Sequence, residues 1–187
     1  MKRFLCFFAV AALASACNSG KDDAKVQSMS ATDSTKNEEM AVTYPYDVQY
    51  SSKFEIGDPN QAKIILDLWK NWDNGTLANS RDNFADSVDM HFSSGYRMHA
   101  SRDSVIAAGQ KERDGLSKAV STVDAVTPLK STDKNENWVT VWGKEVDTHK
   151  DGKVDSTFLQ ETWRFNKDGK VDLLYQYAAK PMPDKKM

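Results

Sequence analysis

The chain has few of the side chains that build metal and redox sites. Its 187 residues include two cysteines and three histidines, too few for a dedicated transition-metal centre, and neither a metal nor a cofactor is expected. Cys6 lies in an apolar run near the start, so the rest of the chain has one thiol, Cys17, and no internal disulfide. Basic charge is not in excess either. With 25 Lys and Arg against 27 Asp and Glu, the protein lacks the basic balance that nucleic acid would call for, and no nucleic-acid partner is expected. Long apolar runs are scarce: Phe4 to Leu13 is the longest, and it is too short to span a bilayer.

That run follows Met1-Lys2-Arg3 and leads into Ala14-Ser15-Ala16-Cys17. A basic start, a short apolar stretch and small residues before a cut describe an export signal. Ending in cysteine, it resembles a bacterial lipoprotein lipobox, with Ala14 where leucine is usual and Leu13 one residue further back. The resemblance implies that residues 1–16 are removed and that Cys17 is lipidated. Two or three acyl chains on one cysteine suffice for stable anchoring, so a membrane is an expected partner through Cys17. The other reading is an ordinary secretory signal with Cys17 incidental. Lys21-Asp22-Asp23 resembles a tag that sends lipoproteins to the outer leaflet, which places the protein in the bacterial cell envelope, at the outer membrane and surface-exposed; a plain solvated linker is the other reading of those charges. Loss of Lys2 and Arg3 leaves 23 basic against 27 acidic side chains.

Residues 17–40 are rich in Ser, Thr, Asp, Lys and Asn and bury too little to offset the entropy of ordering, which predicts a disordered tether. Residues 41–56 add Tyr44, Tyr46, Tyr50 and Phe54, either as an extension lying on the domain or as a sticky linker. The domain proper is expected over 57–181, with a tail at 182–187. Asp58 as N-cap, Pro59 at the first helical position and Gln61 as capping-box partner open a helix through Ile65, Leu68, Trp69 and Trp72 that Gly75 stops. A shorter helix is expected over about 77–84, extended segments at 88–92 and 96–99, and a third helix capped by Ser101 and ending near Gly115. The period then changes to two, predicting four strands over 119–129, 138–147, 156–165 and 171–178. Lys150-Asp151-Gly152-Lys153-Val154-Asp155 recurs letter for letter as Lys167-Asp168-Gly169-Lys170-Val171-Asp172. Asp-Gly between alternating apolar runs is a hairpin signal, so the repeat predicts two equivalent turns. Asp147, Asp151 and Asp155 are spaced a little like a calcium loop, but His149 takes a ligand position and Phe158 stands where the bidentate glutamate belongs.

Three helices followed by a meander, with Trp69 to Gly75 and Leu77, then Phe84-Ala85-Asp86-Ser87-Val88, then Trp163-Arg164-Phe165-Asn166 before Asp168-Gly169-Lys170-Val171, resemble the NTF2-like, or SnoaL-like, superfamily over about 58–180. The resemblance implies an α+β cone: three N-terminal helices packed in a strongly curved antiparallel sheet whose open end holds a pocket. Ketosteroid isomerase is a catalytic member of that superfamily. Aligned on Phe84-Ala85-Asp86, its general base falls at Phe92 and its oxyanion tyrosine at Leu68, neither able to do the chemistry. Only its second oxyanion donor has a counterpart, at Glu161.

Glu161 shares strand parity with the apolar Leu159, Trp163 and Phe165. A carboxyl there is desolvated and its pKa raised, which marks a candidate site; an ion pair with Arg113 or Lys144 is the bland alternative. His91 points away from Phe92 by parity, yet one bulge would turn it inward to serve as base with Glu161. Trp72, Trp142 and Trp163 are expected to line an apolar cavity with Glu161 as its polar group, although core packing accounts for tryptophans equally well. Val139, Val141, Tyr175 and Tyr177 are expected on the opposite face, as a homodimer surface or a seat for the Tyr44–Phe54 segment. These features predict a membrane-anchored domain that binds a small apolar or amphipathic ligand or a partner, without assigned catalysis. The alternatives are an acid–base isomerase, cyclase or hydratase using Glu161 with His91, and an envelope interaction module.

Overall fold

The computed structural model describes residues 43–181. The signal run, Cys17, the tether and the tail at 182–187 lie outside the described residues. In chain order the elements are strand β1 (Phe54–Ile56), helix α1 (Pro59–Asn74), a 3-10 helix (Leu77–Asn83), β2 (Phe84–Phe92), β3 (Arg97–Ser101), helix α2 (Arg102–Asp114), and the long strands β4 (Leu116–Ser131), β5 (Asn137–His149), β6 (Val154–Phe165) and β7 (Val171–Ala179).

All seven strands join one sheet in the order β1-β4-β5-β6-β7-β2-β3. Neighbours are antiparallel except β2 and β7, which run parallel. The sheet is therefore mixed, where a purely antiparallel one was expected. The parallel pair arises because α1 and the 3-10 helix carry the chain from one sheet edge to the other before β2 begins. The extension also resolves. Phe54, Glu55 and Ile56 pair with Ser131, Lys130 and Leu129, and the Tyr50 ring packs edge-on against Trp138 with centroids 5.0 Å apart.

The helix termini follow their local chemistry, with one difference. The Asp58 carboxylate accepts from the Asn60 amide at 2.9 Å, and Gly75 ends α1 at φ +68°, in the left-handed region open to glycine. Gln61 does not complete a capping box: its Oε1 is buried and accepts no hydrogen bond. At α2, Ser101 Oγ accepts from the Ser104 amide. The repeated hexapeptide folds the same way twice. Gly152 donates to His149 O and His149 to Lys153 O; Gly169 donates to Asn166 O and Asn166 to Lys170 O. Both glycines have positive φ.

Residues opposite one another in register share a face of the sheet. Val139 faces Trp163, Val141 faces Glu161 and Gly143 faces Leu159, while Trp163 faces Leu174 and Glu161 faces Gln176. These residues form the inner face, which packs with Ile65, Leu68 and Trp69 of α1 and with Phe84 and Val88 into one core. The intervening residues, Trp138, Trp142, Gln160, Thr162, Arg164, Tyr175 and Tyr177, form the outer face.

Candidate functional site

Glycine at 143 sets how deeply α1 can sit. A Cβ there would lie 2.3 Å from Thr122 O and 2.9 Å from the Trp69 ring, so the indole occupies the space a side chain would need. From that position Trp69 Nε1 donates to Glu161 Oε2 at 2.6 Å. Trp163 Nε1 donates to the same oxygen at 3.0 Å, and Gln176 Nε2 donates to Oε1 at 2.8 Å. Glu161 is thus 5% exposed and bonded on both oxygens. Burial raises its pKa, against the opposing pull of the Gln176, Trp69 and Trp163 donors. Neither cation considered as a partner reaches it. Arg113 donates to Trp72 O and Asp73 O at the end of α1, and Lys144 lies over the Phe158 ring.

One helical turn on, Trp72 Nε1 donates to Glu145 Oε1. Glu145 lies two and four residues beyond Gly143 and Val141 on the inner face of β5, and its carboxyl is pushed up to about 8. Burial is the main cause, the neighbouring Asp147 carboxyl adds to it, Trp72 opposes it and Glu161 contributes a little more. A carboxyl raised this far is protonated at neutral pH and can donate as well as accept. The inner face therefore brings Glu161 and Glu145, each clasped by an indole of α1, into the company of half-buried Asp147, which shares their parity. Glu145 was not among the expected site residues: its parity with Val139 and Val141 places it inside only once those valines are found to face in.

The expected pocket lining is corrected at Trp142. Its register partner is Gln160, next to Tyr177, so it stands on the outer face, 39% exposed, and lines nothing with Glu161. Val139 and Val141, expected outside, are the fully buried inner residues. Apolar residues of both parities fill β5, and only the smaller set fits beneath α1. His91 is corrected as well. β2 and β7 are in regular register from Asp89 onward, so His91 pairs with Tyr175 on the outer face and its ring lies 4.7 Å from the Tyr175 ring. His91 and Glu161 are on opposite sides of the sheet, and no bulge at His91 brings them together. Trp72 and Trp163 do lie with Glu161 on the inner side. Leu68 is core and Phe92 flanks it. Concavities of about 380 Å³, beside Asn137, Arg164 and Asp172, and about 330 Å³, beside Tyr46, Ser51 and Asp133, border neither Glu161 nor Glu145.

Helices α1 and α2 and the 3-10 helix, with a single seven-stranded mixed sheet, make an NTF2-like, SnoaL-like α+β fold. No family model and no curated protein matches the chain. Among solved structures it is similar to AusH from Aspergillus nidulans, at 14% identity over 70% of this chain and 90% of that one, with a TM-score of 0.53. It is also similar to a candidate SnoaL-like polyketide cyclase from Shewanella denitrificans, at 11% identity over 65% and 92%, TM-score 0.53. An LEH-like epoxide hydrolase from M. tuberculosis matches at 7% identity over 64% and 84%, TM-score 0.51. At such identities the likeness is one of fold, and chemistry has to be argued from the site.

Proposed function

We propose that the protein is a binding domain held at the bacterial cell envelope by lipidated Cys17, and that the outer face of its sheet docks on a second copy of the chain. The observation that carries this reading is the contrast in exposed apolar area. Trp142, Phe158 and Tyr177, 39%, 48% and 56% exposed, stand together on β5, β6 and β7, since Trp142 faces Gln160, which faces Tyr177, and Phe158 lies in the next row. A clustered aromatic patch of this kind marks interaction surfaces. Gln160 and Lys144 stand between and beside these rings, and a two-fold dimer brings the same patch of both copies together. The inner face, by contrast, is filled by Trp69 and Trp163.

Light scattering of the full chain in detergent micelles is expected to give two protein copies per micelle. Trp142→Glu with Tyr177→Glu is expected to give one. A wild-type monomer at high micromolar concentration sinks the second-copy reading. Anchoring is tested separately by metabolic labelling with a fatty acid, which Cys17→Ser is expected to abolish.

A second occupant is favoured by one specific feature. Half-buried Trp72 beside the raised Glu145 carboxyl offers an apolar wall and a hydrogen-bonding head, the usual make-up of a small-molecule site. An amphipathic small molecule bound there would quench tryptophan fluorescence, and Glu145→Gln would weaken that quenching.

A further inference from the structure

The outer face of the β2–β3 ribbon carries a hydrogen-bonded serine, histidine and aspartate that the binding function does not use. Asp89 and His99 are directly opposite in the antiparallel pair, and Ser87 lies two residues before Asp89, opposite Ser101. The same parity puts all three side chains on the face away from buried Val88. Asp89 Oδ1 lies 2.7 Å from His99 Nδ1, and Ser87 Oγ lies 3.2 Å from His99 Nε2.

The polarity of this chain is specific. An ionised carboxylate only accepts, so the close Asp89 contact puts the proton on Nδ1. Nε2 then carries the lone pair and accepts from the Ser87 hydroxyl. Nucleophile, base and orienting carboxylate are thereby connected in the order acyl transfer requires, a constellation recognised by geometry rather than by fold or chain order.

We propose that Ser87, His99 and Asp89 form an acyl-transfer site on the outer face of the β2–β3 ribbon that takes carboxylic esters with small acyl groups. Ser87 Oγ attacks the ester carbonyl carbon while its proton passes to His99 Nε2. Collapse of the tetrahedral adduct breaks the C–O bond to the alcohol, which leaves with the proton from His99. Water then attacks the acyl-serine by the same route, releasing the carboxylic acid and restoring Ser87. Asp89 is a positioning residue, holding the imidazole in the tautomer that leaves Nε2 free. Substrate size follows from the setting. β3 is the last strand of the sheet and His99 is 73% exposed at its side chain, so the reacting atoms lie open to solvent, a setting that favours small acyl groups.

The test is acetylation of the full chain by p-nitrophenyl acetate, with the modified residues located by peptide mass spectrometry. Ser52 and Ser94, exposed serines that bond no histidine, serve as internal controls. Ser87 is expected to acetylate about 100-fold faster than either, the lower range of general-base assistance, and His99→Ala is expected to bring it down to their rate. Asp89→Asn is expected to slow it about tenfold or more with the thermal midpoint unchanged, and Asp89→Glu to restore part of that loss. Acetylation of Ser87 no faster than Ser52 and Ser94, or a rate indifferent to His99→Ala, overturns the proposal. All three side chains are exposed, so these variants leave the core intact.

Discussion

The two faces of the sheet both carry tryptophan, and Trp142 on the outer one is left in solvent while the inner indoles are packed. On the inner side Trp69, Trp72 and Trp163 are packed and each indole N–H is committed to a carboxyl, Glu161 or Glu145. On the outer side Trp138 is covered by Tyr50 and the Arg164 guanidinium, while Trp142 meets solvent. The difference shows what a buried indole contributes here. It removes on the order of 200 Å² of surface from water, roughly 5 kcal/mol at about 25 cal/mol per Å², and its polar edge compensates a carboxyl that the same packing desolvates. Trp138, although on the outer side, follows the inner pattern, 5% exposed with its indole N–H donating to Glu136 Oε2 at 3.3 Å; Trp142 alone of the two keeps its area available for another molecule.

That contrast is broken most sharply by truncating one tryptophan on each side. Trp69→Ala is expected to cost about 3–5 kcal/mol, since it opens a large cavity and leaves Glu161 without its 2.6 Å donor. Trp142→Ala is expected to cost under about 1 kcal/mol in the monomer, as befits an exposed position. Chemical denaturation of both variants measures the gap, and equal losses would dissolve the distinction between the faces. Somewhat smaller is the effect of Gly143→Ala. Its Cβ meets a backbone carbonyl at 2.3 Å as well as the Trp69 ring, so β4, β5 or α1 must shift at about 1–3 kcal/mol. Trp69 fluorescence should change with it, because the indole lies against that site.

The sequence showed much of this architecture and concealed the rest for a physical reason. Caps at Asp58, Gly75 and Ser101 are local devices, and the repeated Lys-Asp-Gly-Lys turns needed no tertiary information to be recognised. Tyr50 and Phe54 signalled that residues 41–56 were unlike a tether, though not that β1 would pair with β4. The faces of β5 were less accessible. Trp138 and Trp142 on one parity and Val139 and Val141 on the other are both apolar, so alternation alone does not say which set is inside. The deciding fact is that α1 brings Trp69 down onto Gly143, a contact between residues 74 positions apart. Once that is known, the valines must face in, Glu145 joins Glu161, and Trp142 is left outside. Glu161 is legible in the sequence because an acid in phase with Trp163 and Phe165 is unusual. His91 could not be placed until its register with Tyr175 was known.

The carboxyls on the inner face also give the comparison a pH axis. Glu145 rises from an ordinary value of 4.5 to about 8 on folding, first through burial and then through Asp147, and burial raises Glu161 in the same direction. A carboxyl whose folded pKa is raised binds its proton more tightly when folded. Below about pH 4.5 both states hold the proton and nothing is lost; as pH climbs from there to about 8 the unfolded chain releases it first, and stability falls by up to a few kcal/mol before levelling off. Exposed carboxylates lean the other way. Hydrogen bonds from Arg81, Ser51 and His149 hold Asp103, Asp133 and Asp155 low, so their contribution is lost on acidification, and their exposure keeps it small. Denaturant midpoints measured across pH 5–8.5 should therefore decline toward alkali in the wild type. Glu145→Gln keeps an acceptor for Trp72 without a titrating proton, and it should flatten most of that decline. A slope unchanged by Glu145→Gln would mean that the half-buried carboxyl is already ionised at neutral pH, and the inner face would then carry a charge where a protonated carboxyl is expected.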